Sequence, residues 1–302
     1  MRARRLRAIV LVGVAVVGLV SGSYALGQDT SQTGPLRLGI VTDVHANVAD
    51  SPGEHKVMTS YPARLGAFVE AMIAWPADLV IDLGDFVNGA FVIGAGPVDP
   101  AKIPGVLADA EVIYARFPGP HYHVLGNHDV YDLSKDEFLA GTQAIWTYGS
   151  FEAKGYHVVI LDAQFSKKDE PLGHATWVVQ GKIPPVELDW LRADLAATKK
   201  PTLVCVHQRL DKAFDVLSGG PEIANATDVR KVLADSHVVV AVFQGHDHVS
   251  AYSLVDGIHY LTFAALVDEG TPPSWAEVAL DPIRRTIDIM GTGDEPNRHL
   301  TY

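Results

Sequence analysis

The sequence predicts a layered domain of the α+β or α/β class, built as a two-sheet β-sandwich flanked by helices. Short apolar runs rich in Val, Ile and Leu recur with little polar alternation, as strands covered on both faces require. Amphipathic helical patterns lie between them, the signature of layered α and β elements. The C-terminal part instead holds β-rich segments separated by turn residues.

The N-terminus opens the order of elements. Met1 to Arg7 is a basic stretch, Ala8 to Val20 is uncharged and apolar, and Ala25-Leu26-Gly27 ends it in small residues. The apolar run is short for a membrane span, so residues 1–27 read as a secretory signal, with an uncleaved anchor as the alternative. Arg4-Arg5 is a weak twin-arginine feature and leaves the export route open. The expectation is an exported protein, periplasmic or secreted, that meets a membrane only through this segment. Residues 28–35 are polar with Gly and Pro, a flexible lead. Residues 36–302 form the functional domain.

Strands are expected over 36–41, 79–83, 122–125, 156–161, 203–206 and 238–243. A helix over 61–75 places Leu65, Phe68, Val69, Met72 and Ile73 on one face, with Pro62 in its first turn and Pro76 as its stop. A second, over 186–198, aligns Leu188, Leu191 and Leu195; a third, over 228–234, aligns Val229, Val232 and Leu233. The segments 258–263, 275–280 and 286–290 read as antiparallel strands extending the sheets. Residues 89–104 and 167–185 read as long loops that shape a pocket.

Composition bounds the function. The chain has 302 residues and a formal charge of −12. That balance argues against a nucleic-acid surface, which needs clustered Lys and Arg. It does not exclude small phosphates, because bound metal ions supply positive field locally. The one cysteine, Cys205, lies in the run Leu203 to Val206 and reads as a buried structural thiol.

Five short motifs stand at the ends of the expected strands: Asp43-Val-His45, Gly84-Asp85, Gly126-Asn127-His128-Asp129, Val206-His207 and Gly245-His246-Asp247-His248. Carboxylates, imidazoles and one amide are the donors that suit a pair of divalent ions. Two such ions side by side commonly attack a phosphate ester with metal-bound hydroxide. Glycines before Asp85, Asn127 and His246 permit close backbone approach. A lone Asp-x-His or Gly-Asp carries little information; the ordered set at strand ends carries much more.

In order and spelling these motifs resemble the calcineurin-like metallophosphoesterases over residues 36–263. The resemblance implies a four-layer α/β/β/α sandwich. It implies Asp43, His45 and His248 on one metal, Asn127, His207 and His246 on the other, and Asp85 as the bridge. It makes His128 a catalytic residue that protonates the leaving oxygen or stabilises phosphoryl charge, with Asp129 either orienting it or capping the loop. Asn88 reads as a substrate-binding residue, a partner of a ligand or a turn former. Arg209 reads as a phosphate clamp or a salt-bridge residue. His121, His123, His157, His237 and His259 read as structural; His55, His174 and His299 have no assigned role.

Further along, Gly126 to Ser134, Val159 to Ala163, Leu188 to Leu191 and Gly291 to Arg298 resemble manganese-dependent ADP-ribose/CDP-alcohol diphosphatases. His45 stands where characterised members often carry Gln. Asn88 stands where purple acid phosphatases place a tyrosine, which argues against a ferric tyrosinate centre. The implied function is hydrolysis of a small phosphate ester or nucleotide, by a phosphodiesterase or nucleotide diphosphatase. The alternatives are an exported phosphomonoesterase that scavenges phosphate and a non-catalytic scaffold. The implied metal is manganese; the donor set also suits Fe, Zn or Mg.

Overall fold

The computed structural model describes residues 34–96, 98–174, 178–270 and 272–302. The expected signal over 1–27 and most of the lead over 28–35 lie outside the described residues.

Two six-stranded mixed sheets form the centre. The first holds β1 (Leu36–Val41), β2 (Leu79–Asp82) and β3 (His121–His123), with the C-terminal β10 (Trp275–Asp281), β11 (Thr286–Thr292) and β12 (Arg298–Thr301), in the order β12-β11-β10-β1-β2-β3. The second holds β4 (Gly149–Ala153), β5 (Tyr156–Ile160), β6 (Thr202–Cys205), β7 (Val239–Gln244), β8 (Ala251–Val255) and β9 (Ile258–Thr262), in the order β4-β5-β6-β7-β9-β8. β1, β2 and β3 run parallel, as do β5, β6, β7 and β9. Their carboxyl ends therefore open at one edge of each sheet, where ligands bind in parallel sheets.

The apolar runs are continuous because both faces of each sheet are covered. Leu38, Ile40, Leu79 and Ile81 face Val158, Leu203, Cys205, Ala241 and Phe243 across the sandwich. On the outer face of the first sheet lie α1 (Tyr61–Ala74), α2 (Ile103–Tyr114) and α3 (Lys135–Thr142), packed through Phe68, Leu107 and Phe138. On the second lie α4 (Pro185–Ala197) and α5 (Ala226–Ser236), packed through Leu191 and Val229. The result is the expected four-layer α/β/β/α sandwich.

Several expectations are corrected in detail. Ile73 is largely exposed and leaves the buried face of α1 to Leu65, Gly66, Phe68, Val69 and Met72. β9 pairs parallel with β7 and antiparallel only with β8, since the turn at Asp256-Gly257 reverses β8 first. His237 is an exposed C-cap of α5 at φ 57°, outside the core. Cys205 is fully buried, and burial raises its thiol to about 12. Before α4 the described residues of 167–184 form no helix or strand, in keeping with a long loop.

Candidate metal centre

The first sheet delivers Asp43 and His45 after β1, Asp85 after β2 and Asn127 after β3. The second delivers His207 after β6, and His246 and His248 after β7. The loops after β1 and β2 are zipped together: Asp43 N donates to Gly84 O at 2.9 Å, and His45 N to Asp85 O at 2.8 Å. Asp129 accepts from the backbone N–H groups of Asp85, Val87 and Gly126 at 2.8–3.0 Å. Asp129 is thus the cap that joins the loops after β2 and β3, and not a partner of His128.

Five of these residues hold left-handed backbone: Asp43 (φ 51°), His45 (46°), Asp85 (56°), His246 (71°) and His248 (63°). Non-glycine residues there cost about 1–2 kcal/mol each, which folded structure tolerates where it aims side chains at a common point.

The donor atoms converge. Asp43, His45 and His248 form one group with ligand atoms within 4.8 Å of one another, and Asp85, His207 and His246 form a second. Asp85 Oδ2 lies 3.6 Å from His45 Nε2 and 3.1 Å from His207 Nε2, so one carboxylate oxygen adjoins both groups. Asp43 Oδ1, Asn127 Oδ1 and His207 Nε2 are buried without a hydrogen-bond partner. Orphaned buried polar atoms are costly, and three on the loops that bear the predicted ligands fit a cation that would satisfy them. His45 Nε2 and His248 Nε2 face each other at 3.1 Å, an approach that needs a shared proton or cation.

The remote ring nitrogens explain the inward ones. His207 Nδ1 donates to Leu83 O at 2.9 Å, His45 Nδ1 to Asn88 Oδ1 at 2.8 Å, and His248 Nδ1 to Asp268 Oδ1 at 2.6 Å. Each bond leaves Nε2 as the inward donor, the usual support of a ligating imidazole. Asn127 Nδ2 donates to Tyr131 Oη at 2.8 Å, which turns its Oδ1 inward. Asp43 Oδ2 accepts from Thr42 Oγ1 at 2.7 Å and His246 N at 3.0 Å.

The charges are strongly coupled. Burial opposes ionisation of Asp85, yet the imidazoles of His207 and His128 hold it well below the usual carboxylate range. Asp43 is likewise held low against burial, chiefly by His248 and His45. Burial also opposes protonation of His207, which Asp85 nevertheless raises to about 10, whereas burial and then His207 push His246 down to about 4.

His128 is buried beside this group. Its Nδ1 meets Asn88 O at 2.8 Å, its backbone N donates to Asp85 Oδ1 at 2.8 Å, and a ring nitrogen lies within 4.8 Å of donors on His45 and Asp85. Burial pushes its pKa well below the usual imidazole value, and Lys56 adds to the shift. Lys56, itself buried and 3.4 Å from Glu54, is a cation at the site that sequence reasoning did not single out.

Two expected substrate residues are placed elsewhere. Asn88 is fully buried, with its amide between His45 and the carbonyl of Phe91, so it supports a histidine. Arg209 spends its guanidinium on Asp211 (3.0 Å, both oxygens) and Asp247 (2.8 Å), so it is the salt-bridge residue and not the clamp. Tyr131, Thr42 and Asp268 were also missed. Tyr131 stands four residues after Asn127, a spacing that could have flagged it; Asp268 follows His248 by 20 and leaves no local signal. The structural reading holds for four of the five other histidines. His121 and His123 bind Glu111, His157 binds Glu152 and Asp194, and His259 binds Tyr252.

A double sheet that closes carboxylates, imidazoles and an amide around one point at its strand ends defines a metal-dependent hydrolase of phosphate esters. The family model described as calcineurin-like phosphoesterase matches residues 36–250, and the chain belongs to that family. It is 22% identical to a manganese-dependent ADP-ribose/CDP-alcohol diphosphatase from Arabidopsis thaliana, over 84% of this chain and 93% of the relative. It is 22% identical to a probable cyclic nucleotide phosphodiesterase from Psychrobacter arcticus, over 75% and 78%. Its fold matches a dimetal phosphatase from Danio rerio with a TM-score of 0.71 at 18% identity, over 89% and 99%.

Proposed function

We propose that the chain is a phosphodiesterase or nucleotide diphosphatase that works with two divalent cations, manganese first among them. Asp43, His45 and His248 would hold one, Asn127, His207 and His246 the other, with Asp85 between them. The observation that carries this reading is the position of Asp85 Oδ2, next to a donor from each group. When bound, two such ions polarise a phosphoryl oxygen and lower the pKa of an attacking water.

The chain's own groups do the rest. The bonds of Leu83 O, Asn88 and Asp268 to the remote ring nitrogens fix the histidines in one tautomer. His128, with Nδ1–H held on the Asn88 carbonyl, directs Nε2 away from that bond, where it can pass a proton to a leaving oxygen. Burial disfavours the imidazolium that this requires, and Asp85 and the Asn88 bond favour it.

The diphosphatase and phosphodiesterase names of the relatives favour a diester or diphosphate over a monoester. Turnover of bis-p-nitrophenyl phosphate and p-nitrophenyl phosphate with Mn²⁺ tests the reading. Faster hydrolysis of the diester is expected; faster hydrolysis of the monoester would overturn it.

A further inference from the structure

The loops that bear the metal-binding side chains also display apolar side chains to water. Val48 stands three residues after His45, Phe91 three after Asn88, and Val249 directly after His248. Phe214, Val216 and Leu217 tip the loop that follows His207. These six are between 50% and 82% exposed. Apolar side chains exposed on four loops that each also carry a metal-binding residue point to what the site binds, since singly scattered exposure would need no account.

The display is built into the loops. Asn88 binds His45 through Oδ1 and the Phe91 carbonyl through Nδ2, at 2.8 and 2.9 Å, which sets Phe91 beside the site. At the tip, Asp215 accepts from Leu217 N and Ser218 N at 2.8 and 2.9 Å and from Lys212 Nζ at 3.0 Å. The same Nζ reaches Asp247, between His246 and His248, at 2.8 Å. The apolar tip is thereby pinned to the histidine loop.

We propose that the alcohol of the substrate carries an alkyl chain, which lies across these side chains while the phosphate sits among the metal-binding residues. The proposal rests on the phosphoester reading above. The chemistry selects the occupant. Four of the six side chains are branched aliphatics, which suit a chain better than the flat face of a nucleobase. The formal charge of −12 repels a second copy of this chain and an anionic lipid surface, but not a neutral chain.

Binding of methyl-, butyl- and octylphosphonate to the Mn²⁺-loaded full chain, by calorimetry below the micelle concentration, tests this without turnover. A half-covered methylene tightens binding about twofold, so octyl should exceed methyl on the order of a hundredfold. Joint replacement Phe214→Ser, Val216→Ser and Leu217→Ser should cut that ratio to about tenfold or less. Ile283→Ser, exposed on the distant β10–β11 turn, should leave it unchanged. Equal affinity for all three phosphonates overturns the proposal and leaves the phosphoester reading standing. A gain that arises only above the micelle concentration also overturns it, since aggregates rather than single chains would then be bound. Octyl binding without methyl binding would support the chain subsite and count against the phosphate site; absence of all binding overturns both.

Discussion

At Asp85 one carboxylate oxygen adjoins donors from two histidine groups, so its loss should disturb both at once. Asp85→Ala is expected to cost more metal and more turnover than any single change among Asp43, His45, Asn127, His207, His246 or His248. Two dications without a shared anion repel strongly at short range. Metal content of the variants by elemental analysis checks this; two retained metals in Asp85→Ala would remove the bridge. His128 makes the opposite expectation. His128→Ala should keep its metal and lose roughly 10²–10⁴-fold in kcat. The loss should be smaller for an aryl ester, whose leaving group needs no proton, than for an alkyl ester; equal losses would count against an acid role. At this scale the donors were legible, because each ends an apolar run in a short motif. Their supports were not. Asp268 and the Leu83 carbonyl reach the histidines only through the fold.

At the scale of elements, two glycines let loops approach the carboxylates. A Cβ on Gly126 would clash with Asp85 Oδ1, and one on Gly245 would clash with Thr42 Oγ1 and sit 2.8 Å from Asp43 Oδ2. Gly126→Ala and Gly245→Ala should therefore weaken metal binding, as titration with Mn²⁺ would show. Beneath the β2 loop, His123 bridges Asp82 and Glu111 at 3.1 and 3.0 Å. Burial opposes its protonation, but the two carboxylates raise it to about 9. Folding thus gains from this proton fully below the free imidazole value of ~6.5, and the gain is lost as pH rises through about 9. Urea midpoints should fall across that window in wild type; His123→Ala should reduce the slope, leaving the share of His207, and cost ~3–5 kcal/mol at its acid end. Helices α1, α4 and α5 were legible from their apolar stripes. Helix α2 was not, because Pro100 and Pro104 read as part of a loop over 89–104, while Pro104 in fact sits in its first turn. Helix α3 carries a capping box from Ser134 to Glu137 that a closer reading would have found. The edge strands β4, β8 and β12 are part-exposed and lack the apolar runs of central strands.

Over the whole molecule the site joins two sheets. Asp43, His45, Asp85 and Asn127 come from the first, and His207, His246 and His248 from the second, so bound metal clamps the sandwich at one edge. Chelation should lower Tm by roughly 5–10 °C relative to protein held at about a hundred times Kd of Mn²⁺. No change in Tm would mean that the metal does not bridge the layers. Export through residues 1–27 is a separate expectation, checked by intact mass of the protein from its native host; a full-length cytosolic protein would contradict it. The layered class was legible because buried parallel strands repeat the same apolar spelling. The pairing of β9 with β7 was not, because it is fixed by a crossover through β8. Anomalous diffraction at the manganese edge from Mn²⁺-soaked crystals tests the two-metal centre most directly. Two peaks ~3.5–4 Å apart are expected, both within bonding distance of Asp85. A single peak, or peaks that leave Asp85 uncoordinated, would contradict it.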